Sequence, residues 1–463
     1  MASNSAKMNM TEGPILKKLL IYALPVMATG VLQFLYNAAD TAVVGRFAED
    51  SETALAAVGS TGALSTLITG LFIGLSVGAN VSVSHAVGAG KDDQVKDIVQ
   101  TSITLSFVLG AIIGIFGYFT AEPLLSLMNV PDDVIKHSSL YMSTIFIGMP
   151  AQMAYNYGAA ILNARGDTKH PFYFLCISGM LNVSLNLFFV IVCKLGVLGV
   201  ALATIAAQYL SAFLILRLLV KLDDCCHLDL KHLYIRKDKL VKMIKIGLPA
   251  GVQGCLFSIS NVLIQSSIND FGSVVMAANT AAANIDGIIY ISMNAFYHAA
   301  LAFTGQNMGA LKFDRIKKVC VRCLGLVSVF GIAIGAFCYF MGPYILPIFG
   351  VTGTPETSEV MRISMTRLFI VALPYFICGT QEVMSGMLRG MGASMISMIV
   401  SLVGCCLFRV IWIYTAFVEW HSLETLYLTY PISWIIVTAV DLVCFSVLLR
   451  KQSRARLEVA YDV

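Results

Sequence analysis

Apolar runs of about 20 residues recur from one end of this chain to the other, each long enough to cross a bilayer as a helix. Twelve are read near 17–45, 54–80, 98–120, 140–163, 171–193, 196–219, 244–269, 274–304, 319–341, 363–388, 394–417 and 427–449. Lipid offers no hydrogen-bond partners, so only helices or closed barrels survive there, and runs this long must be helices. Only 13% of the 463 residues are charged, where a soluble protein has roughly a quarter. Mean hydropathy is +0.79. A large water-soluble domain has nowhere to fit. The expected fold class is an all-α polytopic membrane protein with twelve transmembrane helices.

Orientation follows from the basic residues, because short loops rich in Lys and Arg stay cytoplasmic. With spans alternating from a cytoplasmic N-terminus, 25 of the 31 Lys and Arg fall on that side, most densely in 221–245 and 312–322. Arg46, Lys136, Lys194, Arg362 and Arg367 fall outside, and Arg409 lies within a span. Both termini are therefore expected in the cytoplasm, and the chain in the plasma membrane as a multi-pass protein. The first apolar run is too long for a cleaved signal peptide and is expected to remain as the first span.

The two halves resemble each other. "LLIYALP" (19–25) matches "MIKIGLP" (243–249), and "VGAGKDDQVKD" (87–97) matches "MGALKFDRIKK" (308–318). "FIGMP" with "ARGDT" (146–150, 164–168) matches "FIVALP" with "LRGMG" (369–374, 388–392), at an offset of about 220–224 throughout. One six-span unit is thus duplicated in parallel. The expected organisation is a tail (1–14), an N-terminal lobe (15–220), a basic linker (221–242), a C-terminal lobe (243–450) and a tail (451–463). Two such lobes enclosing a central site form a transporter architecture.

Polar residues inside spans mark where helices must face one another rather than lipid. Between Lys18 and Arg46 the only charge is Asp40, costing several kcal/mol unless something compensates it. Gly30, Gln33, Asn37 and Asp40 share one face of the first span, as do Gln152, Asn156 and Asn163 on the fourth, beside Tyr155. In the fifth, Ser178, Asn182 and Asn186 recur at i+4. Together these would line a polar chamber around Asp40. Interhelical hydrogen bonding without a transport role is the alternative for each.

The second half differs. The position matching Asp40 falls near Ile264 and Gln265, so the acid has no copy there. Candidate residues are Gln253, Asn261 and Gln265 on the seventh span, Asn279, Asp286, Tyr290 and Asn294 on the eighth, and Gln381, Glu382 and Ser385 on the tenth. Arg409 on the eleventh needs an acidic partner, which Asp286 or Glu382 would supply. A structural ion pair is the alternative for either acid, and Asp441 near the end of the last span is read as structural.

Enzyme motifs fail on context. "GLSVG" (74–78) lies within a span rather than a strand-turn-helix elbow. "GAGK" (88–91) lacks the first Gly and the Ser/Thr of a phosphate loop. The 12 cysteines show no metal spacing, only the adjacent pairs Cys225-Cys226 and Cys405-Cys406. No catalytic residue, metal, nucleic-acid partner or organic cofactor is expected. Methionines and tyrosines, 21 and 18 in number, suit an adaptable cavity wall, with ordinary packing as the alternative.

The residues now resemble a known family, the multidrug and toxic compound extrusion (MATE) transporters, in its prokaryotic DinF-like branch. The resemblance covers nearly the whole chain and rests on "ALPVMATGVLQFLYNAADTAVVGR" (23–46), "ALAAVG" (54–59), "GVLGVALAT" (196–204), "GLPAGVQ" (247–253) and "LRGMGAS" (388–394). It implies twelve helices in two pseudosymmetric lobes, and export of organic cations or other amphipathic, drug-like compounds in exchange for H⁺ or Na⁺. It also implies cation coupling at Asp40. Where many such members carry an Asp four residues after the fifth-span Asn, this chain has Asn186 after Asn182. The seventh-span Glu of Na⁺-coupled NorM-like members is absent around Cys255–Phe257. Asp40 is expected to act alone, or with Glu382 or Asp286. The expected coupling ion is H⁺, with Na⁺ as the alternative, and the expected assembly is a monomer among membrane lipids. A lipid-linked oligosaccharide flippase of the same broader superfamily is the alternative function.

Overall fold

The computed structural model describes residues 8–47, 51–128, 130–354 and 356–461. The ends of the expected tails, residues 1–7 and 462–463, lie outside the described residues. The described residues form helices and turns, with no strand among them. The main helices are α1 (Ile15–Phe47), α2 (Ser51–Gly88), α3 (Asp92–Leu127), α4 (Asp132–Ile147), α5 (Met149–Arg165), α6 (Lys169–Val192) and α7 (Gly196–Lys221). They continue as α8 (Lys237–Asn269), α9 (Ser273–Gly309), α10 (Phe313–Phe340), α11 (Glu359–Gly390), α12 (Ser394–Glu419) and α13 (Leu423–Ala455).

Eleven of these are individually long and apolar enough to cross a membrane. The expected fourth span instead takes two helices, α4 and α5, because Pro150 sits in the first turn of α5. A proline has no N–H to continue the preceding helix but suits the start of a new one. The matching stretch of the second half, Leu368–Ala372, widens into a π-helical turn before Pro374 within α11. Together α4 and α5 have the length of one crossing, which reconciles eleven unbroken helices with twelve spans.

The chain divides into two compact units. One comprises Met1–Asn9 and Ala28–Leu248, the other Met10–Met27 and Pro249–Val463. Each division inside a helix falls beside a proline, Pro25 of α1 and Pro249 of α8, which occupy equivalent places in the repeat. A proline within a helix removes one backbone hydrogen bond and crowds the preceding turn, so a change of packing partner there is physically cheap.

In the first unit α5 packs against α2, α3 and α7. "GAIIG" (110–114) sets the approach on α3: a Cβ at Gly110 would stand 2.5 Å from Pro150 Cα, and one at Gly114 2.8 Å from the Phe146 carbonyl. In the second unit α11 packs against α9, α10 and α13. "GIAIG" (331–335) plays the same part on α10, with Gly331 against Phe376 Cα at 2.7 Å and Gly335 against the Ala372 carbonyl at 2.5 Å. The repeat is thus preserved in backbone contacts, with small residues allowing the close helix approach that drives association in lipid.

The segment before α1, from Met10 on, is part of the second unit and is tied to α9 and α10 of that unit. Met10 N donates to Gln306 Oε1 at 3.1 Å, and the Arg315 guanidinium donates to the carbonyls of Met10, Glu12 and Gly13 at 2.8–3.1 Å.

Candidate functional site

In the first unit Asp40 is a buried carboxylate among neutral donors. Asp40, on α1, is 8% exposed. Its Oδ1 accepts from Asn186 Nδ2 on α6, and its Oδ2 from Thr204 Oγ1 on α7 at 3.4 Å. Asn186 Nδ2 also meets Asn182 Oδ1 at 3.3 Å, and Asn182 Nδ2 donates to Thr204 Oγ1 at 3.4 Å. The i, i+4 spacing of the two asparagines puts both amides on one face of α6, where α1 and α7 bring their polar groups. Among the described residues no Lys or Arg pairs with Asp40, so its charge is met by dipoles alone.

The other residues singled out in this half fall elsewhere. Gln33 and Asn37 are exposed and do not reach Asp40 within the unit. Gln152 Nε2 donates to Thr69 Oγ1 at 3.5 Å, and Tyr155 donates to the Pro171 carbonyl at 3.1 Å. Asn156 is half-buried, and Asn163 keeps a buried Oδ1 without a hydrogen-bond partner. The structure therefore brings Asp40, Asn182 and Asn186 together and leaves the fourth-span stripe apart. Thr204 was missed because it ends "GVLGVALAT", which reads as packing. Only the approach of three helices reveals its hydroxyl.

The second unit pairs one buried acid with an arginine. Asp286 on α9 is 6% exposed, and its Oδ2 accepts from Arg367 Nε at 3.1 Å and Nη2 at 2.8 Å. Arg367 Nη1 also donates to Asn279, whose own amide donates to Gln265 Oε1 at 2.9 Å. Tyr427 and Tyr430 rings lie 5.4 and 5.5 Å from the guanidinium. Arg367, counted among the basic residues of the outer side, is 5% exposed within α11. One expectation, the partner of Arg409, is corrected here. Arg409, expected to hold Asp286 or Glu382, instead donates to Asn261 Oδ1 at 3.2 Å and to Ser433 Oγ at 3.3–3.4 Å. It also lies 4.6 Å from the Tyr430 ring centroid.

A second arginine was overlooked. Arg389, the repeat equivalent of Arg165, donates to Tyr297 at 2.6 Å and to Gln253 Oε1 at 2.7 Å, while Gln253 Nε2 donates to Ser401 at 2.9 Å. Glu382 is half-buried on α11 within electrostatic range of Arg389 and Tyr290. Asp441 on α13 is fully buried, and neither carboxylate oxygen has a hydrogen-bond partner.

Comparison with known proteins agrees with this architecture. The family model described as MatE matches residues 25–188 and 249–415, one copy on each half of the repeat. A probable multidrug resistance protein, YoeA, of Bacillus subtilis (strain 168) is 26% identical over 83% of this chain and 83% of its own length. An FAD transporter of Shewanella oneidensis is 23% identical over 69% of this chain and 71% of its own. The solved structure of a MOP superfamily transporter from Pyrococcus furiosus superposes with a TM-score of 0.88 at 21% identity, covering 96% of this chain and 98% of that one. The match across both halves, on a fold of paired helical repeats with a buried carboxylate in the first, places the chain in the MatE family of membrane transporters.

Proposed function

We propose that this chain is a secondary active efflux antiporter. It exports organic cations or other amphipathic, drug-like compounds in exchange for H⁺, with Na⁺ as the alternative ion, by alternating access of its two six-helix lobes. The observation that carries the reading is the environment of Asp40: a buried carboxylate accepting from one amide, Asn186, and one hydroxyl, Thr204, with no Lys or Arg pairing it among the described residues. Asp286, by contrast, is committed to Arg367. Desolvation disfavours an isolated buried charge, so such a carboxylate takes up a proton or a passing cation where a salt-bridged one does not. Protonated, Asp40 repels no anion and attracts no cation; ionised, it favours cationic cargo. Binding then biases the two openings through differential affinity. The same charge disfavours an anionic cargo such as the flavin nucleotide for which the Shewanella relative is named.

The proposed setting is the plasma membrane with both termini cytoplasmic, from the Lys and Arg asymmetry. With one proton entering as one monovalent cation leaves, no net charge crosses. Voltage, at about 2.3 kcal/mol per charge per 100 mV, then contributes nothing. The test is dye flux in proteoliposomes with pH gradient, voltage and Na⁺ gradient imposed one at a time. Flux driven by the pH gradient alone is expected. Flux driven by voltage alone rejects the electroneutral scheme, and flux driven by Na⁺ at equal pH reassigns the ion.

A further inference from the structure

Between α7 and α8 the chain forms a loop that is tied down rather than loose. Leu228 N returns to the Leu219 carbonyl at 3.1 Å and its side chain is fully buried. Arg236 N donates to Thr101 Oγ1 at 3.1 Å, and Tyr234 donates to Asp97 at 2.7 Å. At the head of this loop stand Asp224, Cys225 and Cys226, whose carboxylate oxygen and two sulfurs all lie within 4.8 Å of one another. Cys225 is 7% exposed and Cys226 fully buried. Their thiols hydrogen-bond to each other, and neither belongs to a disulfide. Asp224 is fixed twice, accepting from Cys226 N at 2.9 Å and pairing with Arg165 Nη2 at 2.8 Å. Nothing in the transport reading uses these three residues.

We propose that Asp224, Cys225 and Cys226 form a binding site for one thiophilic divalent cation, of the Zn²⁺ or Cd²⁺ class. Two sulfurs and one carboxylate are a donor set that selects such ions over Mg²⁺ or Ca²⁺. In a tetrahedral site with metal–sulfur bonds of about 2.3 Å the two sulfurs stand roughly 3.8 Å apart, so the ligands need close by no more than about 1 Å. Charge also balances. The two thiols release their protons to solvent as the cation enters, leaving a neutral metal–dithiolate beside the neutral Asp224–Arg165 pair. Water completes the coordination, reaching the ion past Asp224, the partly exposed member with a side chain 18% accessible. Both cysteines lie among apolar residues, a dry setting in which a neutral complex is tolerated and a bare ion is not.

The probe is Cd²⁺ added to the purified, reduced full-length protein. One Cd²⁺ per chain is expected, with sulfur-to-cadmium charge-transfer absorption and two sulfur neighbours by X-ray absorption. Cys225→Ser with Cys226→Ser should weaken binding at least tenfold, and Asp224→Asn several-fold. Hydrogen exchange of residues 222–228 in the wild-type protein should slow on adding Cd²⁺, a readout that does not depend on the variants folding. Binding that is equal in the double serine variant, or wild-type Cd²⁺ uptake with no slowing at 222–228, overturns the site and assigns the metal to the other cysteines.

Discussion

Removing Arg367 should cost the second unit more than almost any other single change. Asp286 Oδ1 has no hydrogen-bond partner, and Oδ2 takes both of its hydrogen bonds from this guanidinium. With the acid 6% and the arginine 5% exposed, Arg367→Met strands a carboxylate where water does not reach. Breaking a buried pair from one side costs about 3–5 kcal/mol. For a folding unit of about two hundred residues that is roughly 6–20 °C in melting temperature. Asp286→Leu should cost less, because Arg367 keeps Asn279 and the faces of Tyr427 and Tyr430. The double variant should return close to wild type, since replacing both charges by apolar groups of similar size is often neutral or stabilising. The assay is thermal unfolding in detergent, followed by the loss of the monodisperse peak in size-exclusion chromatography, for all four corners of the cycle. The reasoning fails if Arg367→Met melts within about 1 °C of wild type, or if the two single losses simply add.

Gly114→Leu and Gly335→Leu should each destabilise by about 1–3 kcal/mol or prevent folding, because a Cβ already meets carbonyl oxygens at 2.8 and 2.5 Å. Gly59→Ala, with nothing within 4 Å, should leave the melting temperature unchanged or raised. Thr204→Val removes one of two donors to Asp40 and should lower coupled transport on the order of fivefold, as expected for a hydrogen bond worth about 1 kcal/mol. Thr204→Ser should restore most of the rate. Reporter fusions at both ends should be active only as cytoplasmic reporters; an exported reporter at either end rejects the proposed orientation.

Spans and repeat were legible because a bilayer imposes a length and a polarity on every segment, whatever its partners. "GAIIG" and "GIAIG" belong to that same signal, although their role as contact points needed three dimensions. Asn182 and Asn186 were legible for a different reason: amides at i+4 in an apolar helix have to meet something, and the structure places Asn186 on Asp40. Partner choice was not legible. Arg409 and Arg367 both needed buried oxygens, and periodicity cannot say which helix brings a carboxylate and which brings Asn261 and Ser433. Gln33 and Asn37 share a helical face with Asp40 yet stay exposed, because a face drawn over three turns is wider than the contact that buries it. Thr204 illustrates the converse, a lone hydroxyl with no periodic signature that gains meaning only from its neighbours.

Coupling through Asp40 is tested most directly by uphill transport in proteoliposomes carrying either the wild-type protein or Asp40→Asn at equal density. The pH gradient supplies about 1.4 kcal/mol per unit, which allows up to tenfold accumulation of a monovalent organic cation per pH unit under one-for-one exchange. Wild-type protein should approach that accumulation. Asp40→Asn, inserted and melting normally, should show none at any imposed gradient. Wild-type accumulation by Asp40→Asn would contradict the assignment outright.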